Sequence, residues 1–596
     1  MRERRPCGRA IYTAPAGVDK IPVCLMHSRN PNKDDTAFQS ELEEVLRQSG
    51  RGIADLTGFV FPSSNYTKRT FDARCVFDEA AFLATADFRG AVFRQLARFR
   101  RVVFSHGALL VGTAFEADAD FMEATFVEGA DFRGCIFAGA AVFSAARFLK
   151  ISFFSGAKFG ATAQFADAAF NGHALFNEGI FQAVAYFNNV VFREYAVFKL
   201  AKFIGPANFI GARFTQTAEF RLVRFTQPVS FEKVEFGHVA EFDDAQFEDA
   251  VNLKQTIFSE EAHFIRTRFM VGTDFQDAMF VLDADFRDAT FEGDASFLLA
   301  TFRKGADFSG GSFTQEANFS RASFHGAVEF HQTQFRRAGG RQPGPAFARA
   351  RFERPEDTIF ADTYLGEALF YRCDVSKLGF SNVHWRRREN RKAVAFEEVV
   401  DLSHQAAGFG LRPDPSSPDE RNYIVIAELY QQLKKNYDDR RDYWTAGDFH
   451  YGEMEMKRLS SPRRNKVLRW LHRNLGLVAW YKYASEYGEN YVLPVLWLVV
   501  LLLAFALVYP LAGLTPGATV GHIAAASFEQ GSGQVGLAEA YAGPGIMTTV
   551  GVAFFQRDLA YAPSYPWGRL VSWLQLLLTY TLVALFLLAV RRQFRR

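Results

Sequence analysis

The sequence predicts a mainly β solenoid followed by a helical hairpin and two transmembrane α-helices. Three observations carry this expectation. Phenylalanine supplies 65 of the 596 residues, a bias that points to internal repetition. From Phe77 to Phe335 a central residue recurs at alternating intervals of five and six, giving 48 positions of which only Leu110 and Leu253 are not Phe. Near the C-terminus, two apolar runs are each long enough to cross a bilayer.

Residues 1–70 read as an N-terminal cap. The segment TAFQSELEEVL predicts an amphipathic helix, with Thr36 and Gln39 as a capping box and Phe38, Leu42, Val45 and Leu46 on one face; repeat arrays need such end caps. Met1 is followed by Arg2, Arg4 and Arg5 without the apolar run of a signal peptide, so the N-terminal bulk is expected to stay in the cytoplasm. Five cysteines in a chain of this length do not make a disulfide framework. Cys7, with Cys24 and His27 of the CLMH segment, could supply three zinc ligands, although no fourth is evident. The alternative is an ordinary cap, and no other cofactor is expected.

Residues 71–385 form the array. Its true period is eleven, with a small residue two before each centre, as in Ala86 before Phe88 and Ala91 before Phe93. An eleven-residue helical repeat would point the second Phe of each pair roughly 140° from the first, leaving no apolar stripe. A flat strand fails as well, because a five-residue step sends successive centres to opposite faces. A chain that turns a corner every five or six residues puts each centre and its small partner inward, as for Phe286, Phe291, Phe297 and Phe302. Pro206 and Pro228 both lie three before a centre in six-residue segments, which places the extra residue at a corner, outside the ladder that proline would interrupt.

The pattern resembles the pentapeptide-repeat family: small, polar, Leu or Phe, polar, polar. The pure five-residue form appears at Phe360, Leu365, Phe370, Val375, Phe380 and Trp385. The resemblance implies a right-handed quadrilateral parallel β-helix with four sides per coil. The alternating steps then require 22 residues per coil, and 48 centres make twelve coils, roughly 58 Å of rod.

No catalytic motif, P-loop, dinucleotide turn or calcium repeat is present, so the chain is not expected to be an enzyme. Cys75, Cys135 and Cys373 occupy small-residue positions and read as core. Overall charge is only +2, but the stretch from Phe71 to Phe335 carries 33 acidic against 24 basic residues. Some members of the family mimic DNA through acidic faces; here the EFDDAQFEDA patch is followed closely by Arg266 and Arg268 and reads as a solvated face. No basic stripe points to nucleic acid as a partner.

After Trp385 the composition changes. Residues 386–416 read as a linker, and 417–459 as a helical hairpin adaptor that starts at Ser417, Pro418 and Glu420 and buries Tyr423, Ile426, Ala427, Tyr430, Leu433 and Tyr437. Residues 460–490 interleave Arg469 and Arg473 with Trp470 and Trp480, as expected of a helix in the lipid headgroup region. Residues 491–596 form a membrane domain with spans at about 491–513 and 570–590. Arg463, Arg464, Lys466, Arg469 and Arg473 precede the first span, and Arg591, Arg592, Arg595 and Arg596 follow the second, whereas only Arg557 and Arg569 lie between. The positive-inside rule therefore predicts a multi-pass protein of the plasma (inner) membrane with both termini cytoplasmic.

Two spans around GIMTTVGVAFFQ resemble the layout of two-helix potassium channels, and Thr549, Val550 and Gly551 match the start of their filter motif. Thr548, Thr549, Val550, Gly551 and Val552 are thus the pore-loop candidates, although Val552 and Ala553 stand where that motif has Tyr and Gly. The expected function is a bacterial-type membrane-anchored scaffold or sensor that presents the β-helix to a protein partner. The alternative is an oligomeric ion-conducting protein whose pore the β-helix assembles or gates. The partners expected are membrane lipids, an unidentified protein and further copies of the chain.

Overall fold

The computed structural model describes residues 8–13, 18–19, 21–335, 344–388, 392–399, 423–460, 465–516, 535–541, 543–554, 556 and 559–595. The chain divides into two compact units: residues 1–387 with 395–418, and residues 388–394 with 419–596.

The first unit is a parallel β-solenoid with four sides. Its four sheets have 13, 14, 14 and 15 strands, and neighbouring strands in a sheet are four steps apart in chain order, except at the C-terminal end of the 15-stranded sheet, where two consecutive strands pair. Register fixes the coil length: Phe93 pairs with Phe115 and Phe115 with Phe137, 22 residues apart, whereas Phe360 pairs with Phe380 in the strict five-residue stretch, 20 apart. Parallel pairing begins at Ile53, well before Phe71, so the coils start inside the segment expected to be the cap.

The two step lengths make two kinds of corner. In the five-residue step Phe88 to Phe93, the Ala91 N–H donates to Phe88 O at 2.9 Å and Gly90 adopts φ +65°, closing a tight turn. Glycine takes this left-handed position in several coils, but Leu200, Leu222 and Leu299 are forced into it as well. The six-residue step opens the corner instead. There the ladder uses the carbonyl of the residue three before the centre: Ala185 N–H donates to Pro206 O at 2.9 Å and Ala207 N–H to Pro228 O at 3.2 Å. A proline at that position costs the ladder nothing.

Inside, phenylalanines from successive coils stack, and those from opposite sides interlock. Phe286 lies 4.9 Å from Phe308 with rings 4° from parallel, and 5.6 Å from Phe297 at 88°. Phe291 and Phe302 stack in the same way on Phe313 and Phe280. Both geometries are favourable for ring quadrupoles. Where threonine replaces the small inward alanine, its hydroxyl finds a carbonyl: Thr113 Oγ1 donates to Phe88 O at 2.7 Å and Thr256 Oγ1 to Phe231 O at 2.9 Å. Cys75, Cys135 and Cys373 are buried thiols at such positions, with pKa values pushed up by burial.

Both ends of the core are covered. Helix α1 (Asp35–Ser49) buries Phe38 and Leu42, and the Phe38 ring meets Phe61 edge-on at 5.3 Å. Its N-cap is Asp34, whose carboxylate accepts from Ala37 N–H, and not the expected Thr36. A carboxylate two residues earlier reaches the first free N–H groups, so the helix starts sooner. At the other end the short helix α2 (Phe396–Val399) brings Glu397 to accept from Phe370 N–H at 2.5 Å. Burial pushes the Glu397 carboxyl up to about 7.

The second unit is helical. Helices α3 (Tyr423–Asp439) and α4 (Tyr443–Leu459) form a hairpin. It buries Ile426, Ala427, Tyr430, Leu433 and Tyr437, with Phe449 5.5 Å from Tyr437. Its predicted start at Ser417, Pro418 and Glu420 lies outside the described residues. Helices α5 (Lys466–Leu475) and α6 (Leu477–Ser485) lead to the first apolar helix, α7 (Val492–Val508), which runs on as a 3-10 turn to Ala512. Helices α8 (Leu537–Tyr541) and α9 (Pro544–Ala553) precede the second, α10 (Pro566–Arg595). Residues 492–512 and 566–594 are long and apolar enough to cross a membrane.

Candidate functional site: the linked hairpin and membrane module

An ionic network joins the hairpin to the ends of both apolar helices. Glu455, on α4, is nearly buried. Arg458 donates to it at 2.6 and 3.0 Å, Lys482 of α6 at 3.0 Å, and the Tyr487 hydroxyl at 2.8 Å. Burial pushes the Glu455 carboxyl up, but these three donors outweigh it and hold the group at about 2. Tyr487 also offers its backbone carbonyl to Arg592 at 2.8 Å, in the last turns of α10, and Arg592 bonds Glu489 at 3.2 Å. A chain of contacts thus runs from α4 through Tyr487 to the far end of the second apolar helix. Lys392 adds a second strap, paired with Glu486 at 2.9 Å and lying 3.6 Å from the centre of the Tyr451 ring.

The expected interfacial residues divide between two tasks. Trp470 and Trp480 are 59% and 58% exposed, beside exposed Val467, Leu475 and Leu477. That apolar surface precedes the first apolar helix in the chain. Arg473 instead serves the hairpin: its Nε donates to Leu459 O at 3.0 Å and its guanidinium lies over Tyr423. Arg469 lies on the same helix α5 and carries an interaction of its own.

Between the apolar helices, a second polar cluster closes on itself. The Tyr509 hydroxyl donates to Gln575 Oε1 at 2.7 Å, and Gln575 Nε2 donates to Thr549 O at 2.8 Å. Thr548, Thr549 and Gln575 are fully buried. The candidate filter residues Thr548, Thr549, Val550, Gly551 and Val552 all lie within helix α9. Thr548 and Thr549 turn their hydroxyls back to Pro544 O and Gly545 O. Here their backbone is helical, with carbonyls aligned along the helix axis and not turned as extended filter carbonyls are. Val552 and Ala553, where the filter motif has Tyr and Gly, continue the helix without strain.

At the N-terminal cap, Cys24 Sγ and His27 Nδ1 are 3.1 Å apart, and His27 Nε2 is 3.1 Å from Thr57 O. Both ring nitrogens therefore have hydrogen-bond partners. Cys7 lies outside the described residues. Among the described residues, no group of three or more His, Cys, Asp or Glu side chains gathers to hold a metal. Nearby Lys33 is buried and donates to Leu25 O at 2.7 Å and Ser28 O at 3.1 Å; burial lowers its pKa to about 8.

On the solenoid, a shallow groove of about 830 Å³ crosses successive coils of one side. Pro206, Pro228 and Gly272 form part of its floor, and Tyr186, Asn252 and Asp274 line it. Sequence reasoning missed this groove and the Glu455 network. The groove had a visible signal, the run of Val184, Pro206, Pro228, Ala250 and Gly272 at intervals of 22. The network had none, since it joins residues up to 105 apart in sequence.

Comparison with known families gives one match. A model described as pentapeptide repeats (9 copies) matches residues 88–136, 99–147, 187–235 and 231–279. Neither curated proteins nor solved structures give a significant match.

Proposed function

Taking as premise that the solenoid is built of pentapeptide repeats, we propose that the chain is a membrane-anchored scaffold or sensor: the β-helix holds a protein partner, and the helical unit ties it to the inner face of the membrane. The observation that carries this reading is the second unit itself. Two long apolar helices leave most of their surface outside any protein packing. Arg592, in the last turns of the second, is hydrogen-bonded into the same network that holds the hairpin. A force or rearrangement at the hairpin therefore has a physical route to the spans. The groove supplies a surface for the partner, with Pro206, Pro228, Ala250 and Gly272 among its lining residues.

The test has two arms. In membranes from expressing cells, the protein stays in the pellet after alkaline carbonate extraction, and cysteines placed near either terminus are labelled only from the cytoplasmic side. A protein released by carbonate sinks the anchor. The full-length protein in nanodiscs retains a specific partner in a pull-down, and substitution of Asn252 and Asp274 by Arg abolishes its capture; repeated failure to capture anything sinks the scaffold.

A second reading, ion conduction, is favoured by one observation: α9 packs between the two apolar helices and is fastened there through Gln575. Single-channel recording in planar bilayers tests it. Discrete conductance lost on deletion of residues 543–556 supports a pore, and silence from correctly inserted protein rejects it.

A further inference from the structure

On one side of the solenoid, the backbone N–H of each centre donates to a carbonyl of the following coil. Phe297 N–H reaches Asn318 O, Phe319 N–H reaches Ala346 O and Phe347 N–H reaches Leu369 O, each at 2.7 Å. Phe370 is the next centre in this column, and its ring stacks on Phe347 at 5.3 Å. Among the described residues no later strand joins that sheet. The Phe370 N–H instead donates to Glu397 Oε1 at 2.5 Å. A side chain 27 residues further on thus supplies the acceptor of a missing coil.

Glu397 is 1% exposed, and Ala395 and Phe396 beside it are buried as well. Its second oxygen, Oε2, is buried without a hydrogen-bond partner. A protonated carboxyl fits this site, because its carbonyl oxygen accepts from Phe370 as a coil carbonyl would. An ionised one does not, since a full charge would sit out of water on a single hydrogen bond. Neighbouring groups give no relief. The titratable group facing Glu397 from the last coil is the Cys373 thiol, itself beside Asp374. Glu367 in that coil and Glu398 on α2 are buried with interactions of their own. Arg386 Nη1 is also buried without a partner, so it is not paired with Glu397 Oε2. Among the described residues no cation offsets the charge that Glu397 would carry.

We infer that Glu397 makes α2 a pH-sensitive latch on the C-terminal end of the solenoid: the helix is docked while the carboxyl is protonated and is released when it ionises. The chain leaves the first unit at residue 387 and returns to it at 395. Helix α2 belongs to that return, so its release frees the returning segment and uncovers the last coil. The direction follows from burial. The carboxyl titrates at about 7 when docked, against an ordinary 4.5 in water. Docking is therefore strongest below about pH 4.5, weakens as pH rises from there to about 7, and levels off above. The latch lies within the first unit and stands independently of the membrane reading.

Native-state hydrogen exchange on the full-length protein in nanodiscs reads the latch, with each rate corrected for the intrinsic pH dependence of amide exchange. Protection of the Phe370 amide falls roughly fiftyfold from pH 5 to pH 7.5, while amides near Phe121 keep theirs and report intact coils. Glu397→Gln, neutral at both pH values, holds the acid-side protection throughout, and Glu398→Gln keeps the wild-type fall. Glu397→Ala removes the acceptor and leaves Phe370 weakly protected at both. Three results overturn the inference: equal Phe370 protection at the two pH values in wild type, a fall that survives in Glu397→Gln, or a fall shared equally by the amides near Phe121.

Discussion

Replacing Phe286 by alanine measures how far the interlocked rings stabilise the solenoid. Phe286 is fully buried. It stacks between Phe264 at 4.8 Å and Phe308 at 4.9 Å, and meets Phe275 at 5.7 Å and Phe297 at 5.6 Å edge-on. Truncation to alanine removes the transfer energy of a ring and leaves a cavity between rigid neighbours, a loss of about 3–5 kcal/mol. Leucine fills much of the space, as it does naturally at Leu110 and Leu253, but forfeits the ring contacts. Phe286→Leu should therefore cost about 1–2 kcal/mol. In a repeat array each coil touches only its neighbours, so the damage is local. The assay is native-state hydrogen exchange on full-length protein, following the amides of Phe264, Phe286 and Phe308. Their exchange should accelerate in Phe286→Ala by the factor corresponding to the lost free energy, with amides near Phe121 unchanged. An alanine variant no more perturbed than the leucine variant would refute the claim that the cavity and the stacked rings set coil stability.

Four further outcomes follow from the geometry. Glu455 has a folded-state pKa of about 2 against an ordinary 4.5, so its contribution of roughly 2–3 kcal/mol is complete above about pH 4.5 and is lost as pH falls towards 2; thermal melts of the full chain should show this acid loss at the helical unit, and Glu455→Gln should flatten it. Leu222 sits at φ +56°, where a Cβ is strained, so Leu222→Gly should raise the stability of its coil by about 1 kcal/mol in hydrogen exchange, whereas Gly310→Ala should lower the stability of its own coil because Gly310 holds φ +70°, which a Cβ strains. A Cβ at Gly452 would fall 2.5 Å from the Tyr430 ring, so Gly452→Ala should destabilise the hairpin by about 1–3 kcal/mol, read as faster exchange in α3 and α4 with the solenoid unaffected.

The solenoid was legible because its rule is local. One inward centre and one small partner every five or six residues repeat so often that packing leaves few alternatives, and with the four sides that the family resemblance implies, the 22-residue register follows by arithmetic. The early coils were missed although Leu56, Phe61, Tyr66 and Phe71 step by five. Only one of the first three is Phe, so the compositional signal fades where the geometry persists. All three are buried. The helical backbone at the filter-like residues was not legible for the opposite reason. Three residues matched a motif, but backbone conformation there is decided by neighbours: Gly545 fits against Ala506 O, and Gln575 holds Thr549 O, so the segment stays helical.

The sequence by itself determined a corner at every fifth or sixth residue, the place of proline at those corners, the hairpin face and the two apolar helices, since each depends on the spacing of residues along one short stretch; the number of sides came from the family resemblance. Tertiary structure decided which side carries the groove, that Arg473 serves the hairpin, and that Glu455, Tyr487 and Arg592 form one chain of contacts. Those contacts depend on directions in space between residues far apart in sequence, and no periodicity records a direction.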